Sequence, residues 1–122
     1  MKKFEEKQLT LRPRFRVTAK GEISLGPGKA DLLEFIDSTG SIAEAAGRMG
    51  MSYVRAWTLV RTMNRAFREP LVTMTRGGRS KGGSKLSETG RQVLILYRRL
   101  ESESRSATKS TEQALLSLLR ES

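Results

Sequence analysis

Ser41-Ile42-Ala43-Glu44-Ala45-Ala46-Gly47-Arg48-Met49-Gly50-Met51-Ser52 reads as a helix, a tight turn and the start of a second helix. Ser41 and Glu44 make an S-x-x-E capping box, which satisfies two orphan backbone donors at a helix start. Ile42, Ala45, Ala46 and Met49 fall on one face of that helix, and the small pair Ala45-Ala46 lets another helix cross closely. Gly50 permits a left-handed turn, and Ser52 is positioned to cap the second helix.

Toward the C-terminus, Tyr53, Ala56, Trp57, Val60, Met63, Asn64 and Phe67 recur at helical spacing, with Arg55, Thr58, Arg61, Thr62 and Arg65 on the opposite face. Pro70 is expected to end this helix. A strand over 71–75 should pair back with 85–87 across the basic glycine loop Thr75-Arg76-Gly77-Gly78-Arg79-Ser80-Lys81-Gly82-Gly83-Ser84-Lys85. From Ser87 or Thr89 a long helix is expected, with Glu88 favourable in its positive first turn. Val93, Tyr97, Leu100, Ser104, Ala107, Thr111, Ala114 and Leu118 form a heptad-like stripe on it, polar in the middle. The Ser/Thr-rich stretch 102–111 leaves open a continuous helix or a break before a last short one.

Toward the N-terminus, Gly26-Pro27-Gly28 opens a helix whose Ala30, Leu32, Leu33, Phe35 and Ile36 make a buried stripe, and Gly40 closes it. Before it, Leu11, Pro13, Phe15 and Val17 alternate with Arg12, Arg14 and Arg16, which predicts an edge strand from Leu11 onward. A turn at 19–22 leads to a returning strand at 23–25. The expected architecture is mainly α with small β. It has a flexible N-terminus at 1–10, a winged helix-turn-helix over 11–87 and a C-terminal dimerisation helix region over 88–122.

Composition narrows the function. The 122 residues carry a net charge of +10, and the stretch from Arg48 to Lys85 holds nine Lys or Arg against the single acid Glu69. Such a balance points to an anionic partner, nucleic acid or an acidic membrane. No apolar run is long enough to span a bilayer, and no signal segment follows Met1. With no Cys and no His, disulfides, the usual transition-metal ligands and the commonest general base are all missing. Catalytic residues, metal and cofactors are therefore expected to be none, and a cytoplasmic, nucleoid-associated location is expected.

A helix-turn-helix carrying a basic wing is a device for holding double-stranded DNA. Its second helix enters the major groove with its N-terminal residues at the base edges, which places Ser52, Tyr53, Val54, Arg55 and Thr58 nearest the bases. Arg55 is the best specificity candidate, since its fork matches guanine O6 and N7. Ser41 and Ser52 can hold phosphate at helix starts or serve as plain structural caps. Tyr53 can open the core stripe or face the groove, whereas Trp57 reads as core. Arg61 and Arg65 suit DNA contact or an ordinary solvated face. In the wing, Arg76, Arg79, Lys81 and Lys85 sit among glycines that allow close backbone approach, as a phosphate-tracking loop requires. A nucleotide-binding P-loop is the competitor, but no Lys follows Gly82 where that pattern needs one. Arg12, Arg14 and Arg16 either extend the backbone-binding surface or protect an edge. Val93, Tyr97, Leu100 and Leu118 are the expected dimerisation residues.

Leu25-Gly26-Pro27-Gly28-Lys29, Gly40-Ser41-Ile42-Ala43-Glu44-Ala45-Ala46, Met51-Ser52-Tyr53-x-x-Ala56-Trp57, Met63-Asn64 and the paired glycines of the wing together resemble the N-terminal domain of the molybdate-dependent transcriptional regulators, ModE. The resemblance covers about residues 9–100. It implies a LysR-type winged helix-turn-helix in a prokaryotic DNA-binding homodimer, paired through the helix after the wing. Family regulators carry C-terminal oxyanion-binding domains, and this chain ends at Ser122 with no molybdate-binding domain expected in it. Regulation of molybdenum or other metal-oxyanion genes remains compatible with such a domain. Two other classes stay open: a protein-interaction module, and a non-specific nucleoid or RNA binder.

Overall fold

The computed structural model describes residues 10–75 and 83–120. Its elements run β1 (Val17–Ala19), β2 (Glu22–Leu25), α1 (Pro27–Thr39), α2 (Ile42–Arg48), α3 (Tyr53–Ala66), β3 (Val72–Thr75), β4 (Gly83–Leu86) and α4 (Glu88–Leu116). This is a winged helix-turn-helix followed by a long C-terminal helix. The expected wing tip, with Arg76, Arg79 and Lys81, lies outside the described residues, as does the expected flexible N-terminus apart from Thr10.

The first hairpin is shorter than the alternation of 11–17 predicts. Residues 10–16 are not strand; Leu11 is exposed, and pairing begins only at Val17, with an irregular register between Val17 and Thr18. The alternation has no neighbouring strand to pair with; Phe15 instead packs against the core, and its carbonyl is held by Tyr97. The turn itself forms where the sequence places it: Lys20 and Gly21 take φ values of 53° and 83°, matching the two left-handed positions of a tight hairpin.

Pro27 occupies the first turn of α1, where its missing N–H costs nothing. Gly40, at φ 74°, ends the helix by donating its N–H to Ile36 O at 2.8 Å. Ala30, Leu32, Leu33 and Ile36 are completely buried, and Phe35 packs at the edge of the same core. At α2 the capping box is half realised. Ser41 Oγ accepts from the Glu44 N–H, but the Ser41 N–H donates to Thr39 Oγ1 instead of the Glu44 carboxylate. Ala45, Ala46 and Ala56 are buried where α2 meets α3, and Gly50 makes the intervening turn at φ 67°.

α3 stops at Ala66, ahead of Pro70, with Phe67 already extended. Asn64 supplies the reason. Its Oδ1 accepts from the N–H groups of Leu71 and Val72, and its Nδ2 donates to Val72 O. One side chain thus folds the chain back and starts β3. β3 pairs antiparallel with β4, from Val72 opposite Leu86 to Thr75 opposite Gly83, so the return strand begins two residues earlier than 85–87. The Ser84 N–H donates to Gly40 O at 2.9 Å, and a Cβ on Gly83 would lie 2.7 Å from that same oxygen. The base of the wing is therefore fixed to the turn that precedes the helix-turn-helix.

Ser87 caps α4 by accepting from the Gly90 N–H, and its own hydroxyl donates to Pro70 O at 2.7 Å. Gly90 lies so close to the Leu71 carbonyl that a Cβ there would overlap it. α4 then runs unbroken for 29 residues, roughly 44 Å at 1.5 Å per residue, so the Ser/Thr-rich stretch is helix and not a break. Val93, Leu94 and Tyr97 join the core of the winged domain. Beyond Glu101 nearly every residue is exposed.

Candidate nucleic-acid interface

α3 carries two chemically distinct faces. Ala56, Val60 and Met63 are buried, while Val54, Arg55, Thr58, Arg61 and Arg65 are exposed. Ser52 is a true cap: its hydroxyl accepts from the Arg55 N–H at 3.1 Å, which aims the first turn of α3 outward. Ser41 does the same for α2, so both serines have structural duties that leave their lone pairs partly open. Tyr53 is half exposed and Val54 is 71% exposed at the start of α3. An aliphatic side chain held in water at that position suits contact with a thymine methyl. Trp57 packs against the core, as its place on the stripe predicts.

Thr58 donates its hydroxyl to Val54 O at 2.9 Å, and Thr62 donates to Thr58 O at 3.0 Å. Their hydrogens are engaged with the helix, so toward DNA each offers an acceptor and a methyl. Lys85 is exposed on β4, opposite Thr73.

Charge is sorted between the faces. Among the described residues, every ion pair lies on α4, either to α1 or within α4 itself. Arg98 binds Asp31 at 2.7 Å, Glu34 at 2.8 Å and Glu101 at 3.1 Å. Burial works against its charge, but hydrogen bonds to those three carboxylates outweigh it and hold the guanidinium above its usual range. Arg55, Arg61, Arg65 and Lys85 have no carboxylate partner among the described residues. Lys29, donating to Ile23 O at 3.0 Å, is held below the usual lysine range by partial burial and then by the neighbouring positive charge of Arg55. Lys29 is not among the residues that the sequence singles out for DNA, because nothing in the spacing of residues 29 and 55 announces that one charge acts on the other.

The expected dimerisation residues do not share one environment. Leu100 and Leu118 are exposed, and Val93 is half-buried against the core. Tyr97 is turned inward: it is 3% exposed and its hydroxyl donates to Phe15 O at 2.7 Å within the same chain. A buried phenol commonly finds such an acceptor within its own domain. Exposed Ile95 and Leu96 lie beside it on α4 instead.

Molybdenum-linked bacterial proteins match three quarters of the chain. It is 40% identical over 92 residues to "Molybdenum transport protein ModE" of Azotobacter vinelandii, covering 75% of this chain and 34% of that protein. It is 35% identical over 91 residues to "Molybdenum-pterin-binding protein MopB" of Rhodobacter capsulatus, covering 75% and 34%. It is 35% identical over 71 residues to "DNA-binding transcriptional dual regulator ModE" of Escherichia coli K12, covering 58% and 27%. Over that stretch the chain is similar to ModE and Mop proteins, consistent with a ModE-like N-terminal domain. It spans about a third of the length of the curated relatives it matches. No family model matches. Within this ModE-like domain, no helix among the described residues is long and apolar enough to cross a membrane.

Proposed function

We propose that this chain is a sequence-specific DNA-binding transcription regulator that acts as a homodimer in a prokaryotic cytoplasm. The observation that carries the reading is the outer face of α3. It presents Val54, Arg55, Thr58, Arg61 and Arg65 to solvent, free of carboxylate partners among the described residues, between a capped N-terminus and an anchored wing. Cations kept out of internal pairs retain their full attraction for phosphate and their forks for base edges. Arg55 reads a base, Arg61, Arg65 and Lys85 hold the backbone, and Arg76, Arg79 and Lys81 extend that hold from the wing.

The names of the relatives support transcription regulation, and their link to molybdenum supports genes of molybdenum or related oxyanion metabolism as the targets. Pairing two copies of α4 buries Ile95, Leu96 and Leu100, and Leu118 just past its end, which a single chain leaves in water. Two-fold pairing presents two recognition helices, so the operator is an inverted repeat with half-site centres about one helical turn, near 10 bp, or a small multiple apart. Residues 11–87 form the DNA-binding unit and 88–122 the pairing unit, although the first turns of α4 also complete the core of the former.

Selection of binding sites from random duplexes tests this. Recovery of a recurring inverted repeat is expected; even recovery of all sequences would overturn specificity, and retention of none would overturn DNA binding.

A further inference from the structure

α3 is flanked by a hairpin on each edge. On the edge of Asn64 stands the wing, held by the three hydrogen bonds of that residue to Leu71 and Val72. On the opposite edge Thr62, Arg65 and Ala66 face the β1–β2 hairpin across a cleft of about 330 Å³, completed by Lys20, Glu22 and Ser24. Lys20 reaches it from the hairpin tip, Arg65 from the helix. Ser24, 4% exposed, lies deepest.

We propose that this cleft seats a backbone phosphate of DNA, so that the duplex is gripped on both sides of the recognition helix. The inference rests on the DNA-binding reading above. A helix in a major groove about 12 Å wide has a sugar-phosphate strand on either side, and the wing accounts for one of them. The β1–β2 hairpin stands over the other. Among the residues that line the cleft, Lys20 from the hairpin and Arg65 from α3 are the cations, against the single carboxylate Glu22. Two cations on opposite walls of one cleft both gain from an anion placed between them. The Thr62 hydroxyl already donates to Thr58 O, so the donors to phosphate are Lys20 and Arg65.

The experiment uses the full chain and one fixed mixed-sequence 30-bp duplex, with affinity followed across a range of salt. Lys20→Asn with Arg65→Gln removes both donors, and Asn tolerates the left-handed backbone at position 20. The double variant should melt as the wild type does, weaken binding to that duplex, and flatten the salt slope by roughly two units, one for each lost contact. Glu22→Gln should act in the opposite direction and tighten binding, a gain that a purely structural role for the hairpin does not produce. Because Arg65 already holds the backbone in the DNA-binding reading, Lys20→Asn alone decides: a wild-type slope there together with unchanged affinity in Glu22→Gln overturns the second grip. If Arg55→Ala still weakens selected sites in that case, the DNA reading itself survives. Inorganic phosphate at constant ionic strength is the remaining arm. Saturable shifts at Lys20 and Arg65 combined with a wild-type DNA slope in the double variant would make the cleft a free-phosphate site and overturn the proposal.

Discussion

Arg98 and Arg55 are the same residue under opposite treatment. Arg98, on α4, is held by three carboxylates from two helices, whereas Arg55, on α3, has none among the described residues and stands beside another cation. The first arrangement joins the long helix to the domain. The second, on the proposed reading, keeps charge available for an outside partner. On that reading, ion pairing serves stability on the α1–α4 face, and the cations of α3 and the hairpins that are unpaired among the described residues serve binding.

That division can be broken most forcefully at the joint between β3 and α4. Gly90→Ala places a methyl into the Leu71 carbonyl, and the backbone shift should destabilise the domain by about 3 kcal/mol, the upper part of the overpacking range. Chemical denaturation measures it, and wild-type stability would mean α4 is not seated as described. Arg55→Ala should leave the denaturation midpoint unmoved while lowering affinity for the preferred site by about 1–3 kcal/mol and relaxing specificity at one base. Uniform weakening on all sequences would reduce Arg55 to a phosphate contact. Arg98→Ala should show the reverse pattern. Its partners are substantially exposed, so after solvent screening a loss of about 1 kcal/mol of stability is expected, with no change in the salt slope of DNA binding.

A smaller effect sharpens the role of Tyr97. Burial, and then the nearby Glu101 carboxylate, raise its phenol above the ordinary value. The neutral form is thus favoured in the fold: stability is complete below the ordinary tyrosine range and declines as pH rises through it, where the unfolded chain ionises first. Tyr97→Phe loses the bond to Phe15 O, costs about 1 kcal/mol at neutral pH, and should make the alkaline decline shallower. An identical alkaline profile in the variant would assign that decline to other groups.

Much of this was legible in the chain. The stripe of α1, the turn at Gly50, the serine caps and the two faces of α3 all follow from local periodicity and capping chemistry, and the structure places them there. What escaped depends on contacts across the fold. Asn64 reads as one more residue on a stripe until its amide is seen to bond Leu71 and Val72. Gly90 carries no signal in the sequence; its role follows from the Leu71 carbonyl packed against it. Tyr97 fits a heptad by spacing, yet Phe15, distant in sequence, supplies the acceptor that draws it inward. The arginine-rich run before β1 shows the converse error, a strand pattern with no sheet to join.

The most direct test of the division of labour is a titration of the isotopically labelled full chain with its selected duplex, following backbone amide shifts by NMR. The account predicts perturbation along α3 from Val54 to Arg65, and at Thr75 and Gly83–Lys85 in the wing, with the α1–α4 face around Asp31, Glu34 and Arg98 silent. Strong perturbation centred on Arg98, with α3 unmoved, would contradict it.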